Sequence, residues 1–247
     1  MTATNATPQR LYLLNLGMTD VPLPNGSKLA MVSAAYLVRM SDGSHILIDS
    51  GMPADYTPPD GHWIEKLDAS NVIEQLAKLN LKPDNVEAVI CTHFDIDHIG
   101  YNDHFPQAEF IVQRRHYEIA STGLERYERG RAHWGDPALR YRLVDGDTEL
   151  FPGLSLIETS GHAPGHQSVL LTLPNAGKVL LAIDAVMFQR LFTTERKAGG
   201  GDDNEQELKA STQKLLDLVE REHVALIVFG HDGVQWKTLR QAPEFYD

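Results

Sequence analysis

At 247 residues with 42% hydrophobic side chains the chain can bury a sizeable core, and a single domain spanning residues 1–247 is expected. Its 34 acidic against 22 basic side chains give a formal charge of -12, which repels phosphate backbones and anionic lipid, so neither nucleic acid nor a membrane is an expected partner. Cys91 is the only cysteine, which excludes an intrachain disulfide and a thiolate-rich zinc site and suits a reducing cytoplasm. Residues 1–10 have no apolar leader core and no apolar run approaches the ~20 residues of a spanning helix, so the expected location is cytoplasmic.

In chain order, residues 10–16, 34–39 and 44–49 read as strands, with Asn25-Gly26-Ser27 and Asp42-Gly43 as turns between them. From Met52 to His62 the chain is rich in Pro and Gly and carries Tyr56, with Trp63 just beyond, which is loop chemistry suited to a pocket mouth. Residues 68–80 place Val72, Ile73, Leu76 and Leu79 on one helical face, with Asp68 or Ser70 as the cap and Pro83 past the end. Strands follow at 86–91 and 109–113, then a polar helical stretch from 114 to about 131. The second half has strands at 154–158, 168–172, 178–183 and 225–229, and a helix at 205–222 that buries Leu208, Leu215, Leu218 and Val219. Strands followed by helices in each half predict an α+β fold of two packed sheets with helices outside, an αββα layering.

Three of these strands end in metal-ligand residues. The first runs into Cys91-Thr92-His93-Phe94-Asp95-Ile96-Asp97-His98, four potential ligands within six positions, and the others end at Asp184 and His231. Ser160-Gly161-His162-Ala163-Pro164-Gly165-His166 follows the strand at 154–158. Imidazole and carboxylate suit a borderline-hard divalent ion, and without one such groups beside Ile96 and Ile99 lose hydration with nothing in return. A solvated surface loop explains any one of these residues alone but not the set.

His93-x-Asp95-x-Asp97-His98 followed by His162, Asp184 and His231 resembles the metallo-β-lactamase superfamily, whose usual signature is HxHxDH and then H, D and H. Within it, Ile48-Asp49-Ser50-Gly51-Met52-Pro53, Gly161-His162-Ala163-Pro164-Gly165-His166 and Phe229-Gly230-His231-Asp232 are similar to blocks of the N-acyl homoserine lactonase branch. The resemblance implies a four-layer αββα sandwich holding two divalent ions, with zinc the default. It places His93, Asp95 and His162 on the first ion, Asp97, His98 and His231 on the second, and Asp184 on both. It further implies lactone hydrolysis by a metal-bridged hydroxide, with Asp97 passing a proton to the leaving oxygen and quorum quenching as the outcome.

Two positions depart from the pattern. Asp95 stands where the second histidine is usual, and Met187 stands where the lactonases carry a tyrosine that touches the substrate carbonyl. Two divalent ions (+4) against Asp95, Asp97, Asp184 and a hydroxide (-4) leave a neutral centre where the usual pattern gives +1, which predicts that iron or manganese competes better here. The alternative is that Asp95 points away and accepts a backbone hydrogen bond. Met187 and Phe188 are candidate substrate contacts; Met18, Leu191 and Phe192 read as acyl pocket or as core. His166 reads as a support for the ligands, Asp49 as an orienter of a ligand histidine or a turn cap, and residues 199–201 as a lid or a linker. His45, His62, His104, His116, His133 and His223 read as solvated. Rival functions are hydrolysis of another ester, thioester or lactone, a di-iron redox protein, and a non-catalytic sensor; a small molecule is the partner, and monomer and homodimer both remain open.

Overall fold

A computed structural model describes residues 5–23, 25–57 and 70–247. The first sheet has six strands in sequential order: β1 (Pro8–Pro22), β2 (Lys28–Met40), β3 (His45–Ile48), β4 (Ala88–Ile90), β5 (Glu109–Gln113) and β6 (Arg140–Val144). β1 to β3 pair antiparallel and β3 to β6 parallel. The second sheet has five, in the order β11-β10-β9-β8-β7, namely β7 (Thr148–Phe151), β8 (Leu154–Glu158), β9 (Gln167–Leu173), β10 (Gly177–Ile183) and β11 (Leu226–Phe229). Only β10 and β11 run parallel in it.

Helices connect and cover these strands: α1 (Val72–Lys78), α2 (Ile96–Ile99), α3 (Arg114–Ala120), α4 (Glu125–Glu128), α5 (Arg131–Trp134), α6 (Glu205–Glu222) and α7 (Gly233–Trp236). The layering follows from strand periodicity, because alternate side chains leave opposite faces of a strand. Leu11, Leu13, Val179 and Leu181 meet between the sheets. Their neighbours Tyr12 and Leu14 pack outward with Val72 and Leu76 of α1, and Leu180 and Ala182 pack outward with Leu215 and Leu218 of α6. Both faces of the central strands are therefore covered, and they read as unbroken apolar runs for that reason. The predicted αββα arrangement is what forms.

Several boundaries differ from expectation. The cap of α1 is Asn71, whose side chain accepts from Glu74 N, in place of Ser70; Asp68, the other candidate, lies outside the described residues. The helical stretch expected from 114 to 131 is three short helices, broken around Gly123 at φ 86°. Strands β6 and β7 had no clear sequence signal, and both are sheet edges, where half-exposed and charged side chains blur the alternation. Met18 packs against the inter-sheet core, and Leu191 and Phe192 pack against the α6 layer, so all three take the core reading.

Candidate metal centre

Four chain segments leave the same end of the two sheets and meet there. β4 delivers Thr92 to His98, the turn after β8 delivers His162, β10 delivers Asp184, and β11 delivers His231. Parallel pairing of β10 with β11 sets Asp184 and His231 side by side, helped by a register shift between Leu181 and Ile183. Ile183 sits at φ 51°, a conformation costly for a β-branched residue, and it turns the chain so that Asp184 faces the gap between the sheets.

Each of the four central imidazoles is tied at Nδ1. His93 Nδ1 is 3.0 Å from Thr92 Oγ1, which itself donates to Asp49 Oδ2 and so accepts from the ring. His98 Nδ1 bonds Asp49 Oδ2 at 2.8 Å, His162 Nδ1 bonds Asp202 Oδ1 at 2.9 Å, and His231 Nδ1 bonds the Val32 carbonyl at 2.8 Å. With the outer nitrogens acting as donors, the four Nε2 atoms present lone pairs inward, the tautomer and orientation that a metal-binding histidine requires. Asp49 thus takes the orienting role, and its left-handed φ of 60° brings its carboxylate under two loops at once.

Inward, Asp184 Oδ2 lies 3.9, 3.6, 3.4 and 3.1 Å from the Nε2 atoms of His93, His98, His162 and His231. Asp95 Oδ2 is 3.3 Å from His93 and 3.1 Å from His162, and Asp97 Oδ2 is 3.8 Å from His98 and 3.9 Å from His231. Ligands about 2.0–2.2 Å from a tetrahedral ion stand about 3.3–3.6 Å apart, and these spacings of 3.1 to 3.9 Å scatter about that range, compatible with two cation positions on either side of Asp184. His93 Nε2, His98 Nε2 and Asp184 Oδ1 are buried and have no hydrogen-bond partner among the described residues, which is costly unless a cation engages them. The donor set fits two divalent ions.

Electrostatics agree. Burial lowers His98, His162 and His231, but the surrounding carboxylates outweigh it and raise all three, His162 to about 9 through Asp202 and Asp95. Protons therefore occupy the cation positions when cations are absent, and a cation must displace them. In chelated protein the raised His162 stabilises fully below 6.5, its ordinary value, and that contribution disappears as pH rises to about 9. We expect the melting temperature of chelated protein to fall across that window while zinc affinity rises, with proton release on zinc addition in weak buffer; a flat affinity between pH 6.5 and 9 contradicts this.

Asp95, Asp97, Asp184, His162, His231 and Met187 line a cavity of about 630 Å³, which Tyr56, Arg126 and Arg129 also border. Phe188 is buried with Arg190 4.4 Å over its ring and is not in the described wall; Trp63 and His62 lie outside the described residues. A larger hollow of about 850 Å³ beside β7 and β8 contains none of the ligand residues. Residues 199–204 pack on the site, since Asp202 holds His162 and Asp203 N bonds the Gly161 carbonyl.

Three functional contributors escaped the sequence reading. His116 is fully buried rather than solvated: its Nε2 accepts from Phe94 N at 2.8 Å and its Nδ1 donates to the Pro164 carbonyl at 2.7 Å, tying the His93 loop to the His162 loop. Burial lowers it to about 4, so it stays a neutral clamp. Asp202 sits after a glycine run with nothing local to mark it. Arg126 grips Asp95 with Nε to Oδ1 at 2.6 Å and Nη2 to Oδ2 at 2.5 Å, so the neutral charge count omitted a cation beside the centre. Asp95 does not turn away to a backbone partner, for it makes no cap hydrogen bond at the start of α2. His166 is buried and outside the clustered donor atoms, with Nδ1 2.9 Å from Thr159 Oγ1, Nε2 without a hydrogen-bond partner among the described residues, and its ring 5.0 Å from that of His93.

The family described as the metallo-beta-lactamase superfamily matches residues 30–231. Curated relatives include N-acyl homoserine lactonase AiiA of Bacillus thuringiensis subsp. kurstaki, 32% identical over 97% of this chain and 99% of that protein. N-acyl homoserine lactonase AttM of Rhizobium radiobacter is also 32% identical, over 97% and 99%. Among solved structures, an N-acyl homoserine lactone hydrolase with the product N-hexanoyl-L-homoserine at its catalytic metal centre superposes with a TM-score of 0.83, at 30% identity over 97% of this chain and all of that one. A quorum-quenching N-acyl homoserine lactone hydrolase gives 0.85 at 29% identity, covering 98% and 100%.

Proposed function

We propose, for a chain that belongs to the metallo-beta-lactamase superfamily, that it hydrolyses lactones, with N-acyl homoserine lactones as its substrate class and quorum quenching as the result. One observation carries the reading: four imidazoles tied at Nδ1 aim Nε2 at a shared carboxylate on the floor of an open cavity. The relatives that match end to end are named for this reaction.

His93, Asp95, His162 and Asp184 would hold the first divalent cation, and Asp97, His98, His231 and Asp184 the second, with zinc the default for this mixture of nitrogen and oxygen donors. When bound, such ions supply a nucleophile at neutral pH and polarise an ester carbonyl. The reaction adds water across the ring ester: the acyl carbon gains the hydroxyl and the ring oxygen leaves with a proton. Asp97 lines the cavity, and in this reading its carboxylate would carry that proton. Met187 brings a thioether without a hydrogen-bond donor to the cavity, so either another wall residue supplies the tyrosine-type contact to the carbonyl, with Tyr56 bordering the same space, or the substrate differs from that of the lactonases.

The whole chain works as one unit in this reading, in a cytoplasm that keeps the buried Cys91 reduced; no helix among the described residues is long and apolar enough to cross a membrane. Zinc-loaded protein is expected to open N-hexanoyl and N-decanoyl homoserine lactones, to lose that activity on chelation, and to regain it with zinc. Turnover of thioesters or aryl esters with no lactone opened would assign another hydrolase, and saturable lactone binding without turnover would assign a sensor.

A further inference from the structure

We propose that Asp95 and Arg126 act as one unit: the carboxylate serves the first cation, the guanidinium serves the carboxylate, and together they replace the imidazole of the usual HxHxDH pattern. This rests on the two-cation reading above. The oxygen that faces His93 Nε2 at 3.3 Å and His162 Nε2 at 3.1 Å is Asp95 Oδ2, the same oxygen that accepts from Arg126 Nη2. The guanidinium is fixed from further sides, Nη1 donating to the His162 carbonyl at 3.0 Å and to Asp203 Oδ1 at 2.8 Å, and Nη2 also standing 3.1 Å from His162 Nε2, a contact that a cation on that nitrogen has to displace. Arg126 thereby joins α4, the start of α2, the His162 turn and the loop before α6 at one point. A planar fork matching both carboxylate oxygens sets the direction of Asp95 in a way a lysine cannot.

The charge count gives the reason for the pairing. A lone Asp at position 95 neutralises a centre that histidine leaves at +1; the guanidinium restores the +1. The exchange is therefore reciprocal. Asp95→His alone confronts an imidazole with a guanidinium, which has five donors and no acceptor, and raises the centre to +2. Both changes repel a divalent ion. Removing the guanidinium as well returns the usual count. Arg126 is thus a positioning residue, and the effect of Asp95→His on cation binding depends on whether Arg126 is present.

A double-mutant cycle tests this on wild type, Asp95→His, Arg126→Met and the double variant. Zinc is titrated against a chromophoric chelator, native mass spectrometry counts ions per chain, and circular dichroism checks the fold. In the wild-type background Asp95→His is expected to weaken one of two zinc ions at least about tenfold, the range seen when support of a ligand is lost. In the Arg126→Met background the same change should leave affinity within about threefold. A difference between backgrounds below about threefold overturns the pairing. Should a variant fail to fold, Asp95→Asn with Arg126→Gln makes the same changes in charge but supplies no replacement ligand, so it is read only for coupling: Asp95→Asn should weaken zinc at least about threefold more when Arg126 is present than when it is glutamine, and equal losses in the two backgrounds overturn the pairing. Two zinc ions in wild type without coupling sinks this inference alone, whereas fewer than two in wild type sinks the two-cation reading and the inference with it.

Discussion

Replacing Asp184 with asparagine is expected to lower lactone hydrolysis by well over about 100-fold and to leave purified protein short of zinc. Removing a group that merely supports a metal ligand costs about 10–100-fold. Asp184 is more central than that, because a single oxygen, Oδ2, stands within 3.9 Å of all four imidazole Nε2 atoms and belongs to both cages. Asparagine keeps the shape and loses the charge, so the two cations lose the anion that lies between them. Burial raises Asp184, but His231 and His98 outweigh it and hold the carboxyl well below its ordinary range, so the charge is present at every working pH. In chelated protein the same change removes a partner of the protonated imidazoles, and their raised affinity for protons should fall with it. Zinc content by elemental analysis, read beside initial rates on a homoserine lactone, checks the expectation. A variant with two zinc ions and rates within tenfold of wild type would remove Asp184 from the centre.

How far such a centre is readable from residues alone depends on whether its parts are close in sequence. His93, Asp95, Asp97 and His98 sit within one turn after one strand, and Asp184 and His231 end apolar runs, so they stand out as candidate ligands before any fold is known. The supports are different in kind. The Val32 carbonyl, Asp202 and Arg126 reach His231, His162 and Asp95 across 199, 40 and 31 positions, and nothing beside them in the chain announces this. The charge count at position 95 comes nearest, but on the sequence alone it points to a neutral centre that favours iron or manganese, and only the structure adds the Arg126 guanidinium that the count omits. His116 was misread because isolation in sequence was taken for solvation, whereas α3 packs it beneath Phe94 with both ring nitrogens bonded. Strand ends suffered in the same way. β1 continues to Pro22, past a bulge at Gly17, because β2 pairs with it throughout, a partnership that the sequence of either strand does not show.

Gly230→Ala is expected to destabilise the protein by about 1–3 kcal/mol, the usual cost of inserting a methyl where there is no room, and to disturb zinc binding in the same stroke. A Cβ on Gly230 would stand 2.6 Å from the Ile183 carbonyl oxygen and 2.7 Å from Asp184 Oδ1. Neither neighbour can yield cheaply. Ile183 is already held at φ 51°, and its carbonyl belongs to the end of β10, whose pairing with β11 places His231. What remains is displacement of the Asp184 carboxylate, which tilts the oxygen that both cages share. Gly200→Ala is the matched control, because a Cβ there meets nothing within 4 Å. For a chain of this length each kcal/mol lowers the melting temperature by roughly 2–4 °C. The decisive comparison is between loaded and chelated protein: the methyl should narrow the gap between their melting temperatures, since it attacks the cage as well as the packing. An unchanged gap, with only a uniform drop, would mean that Gly230 serves strand packing and leaves the position of Asp184 alone.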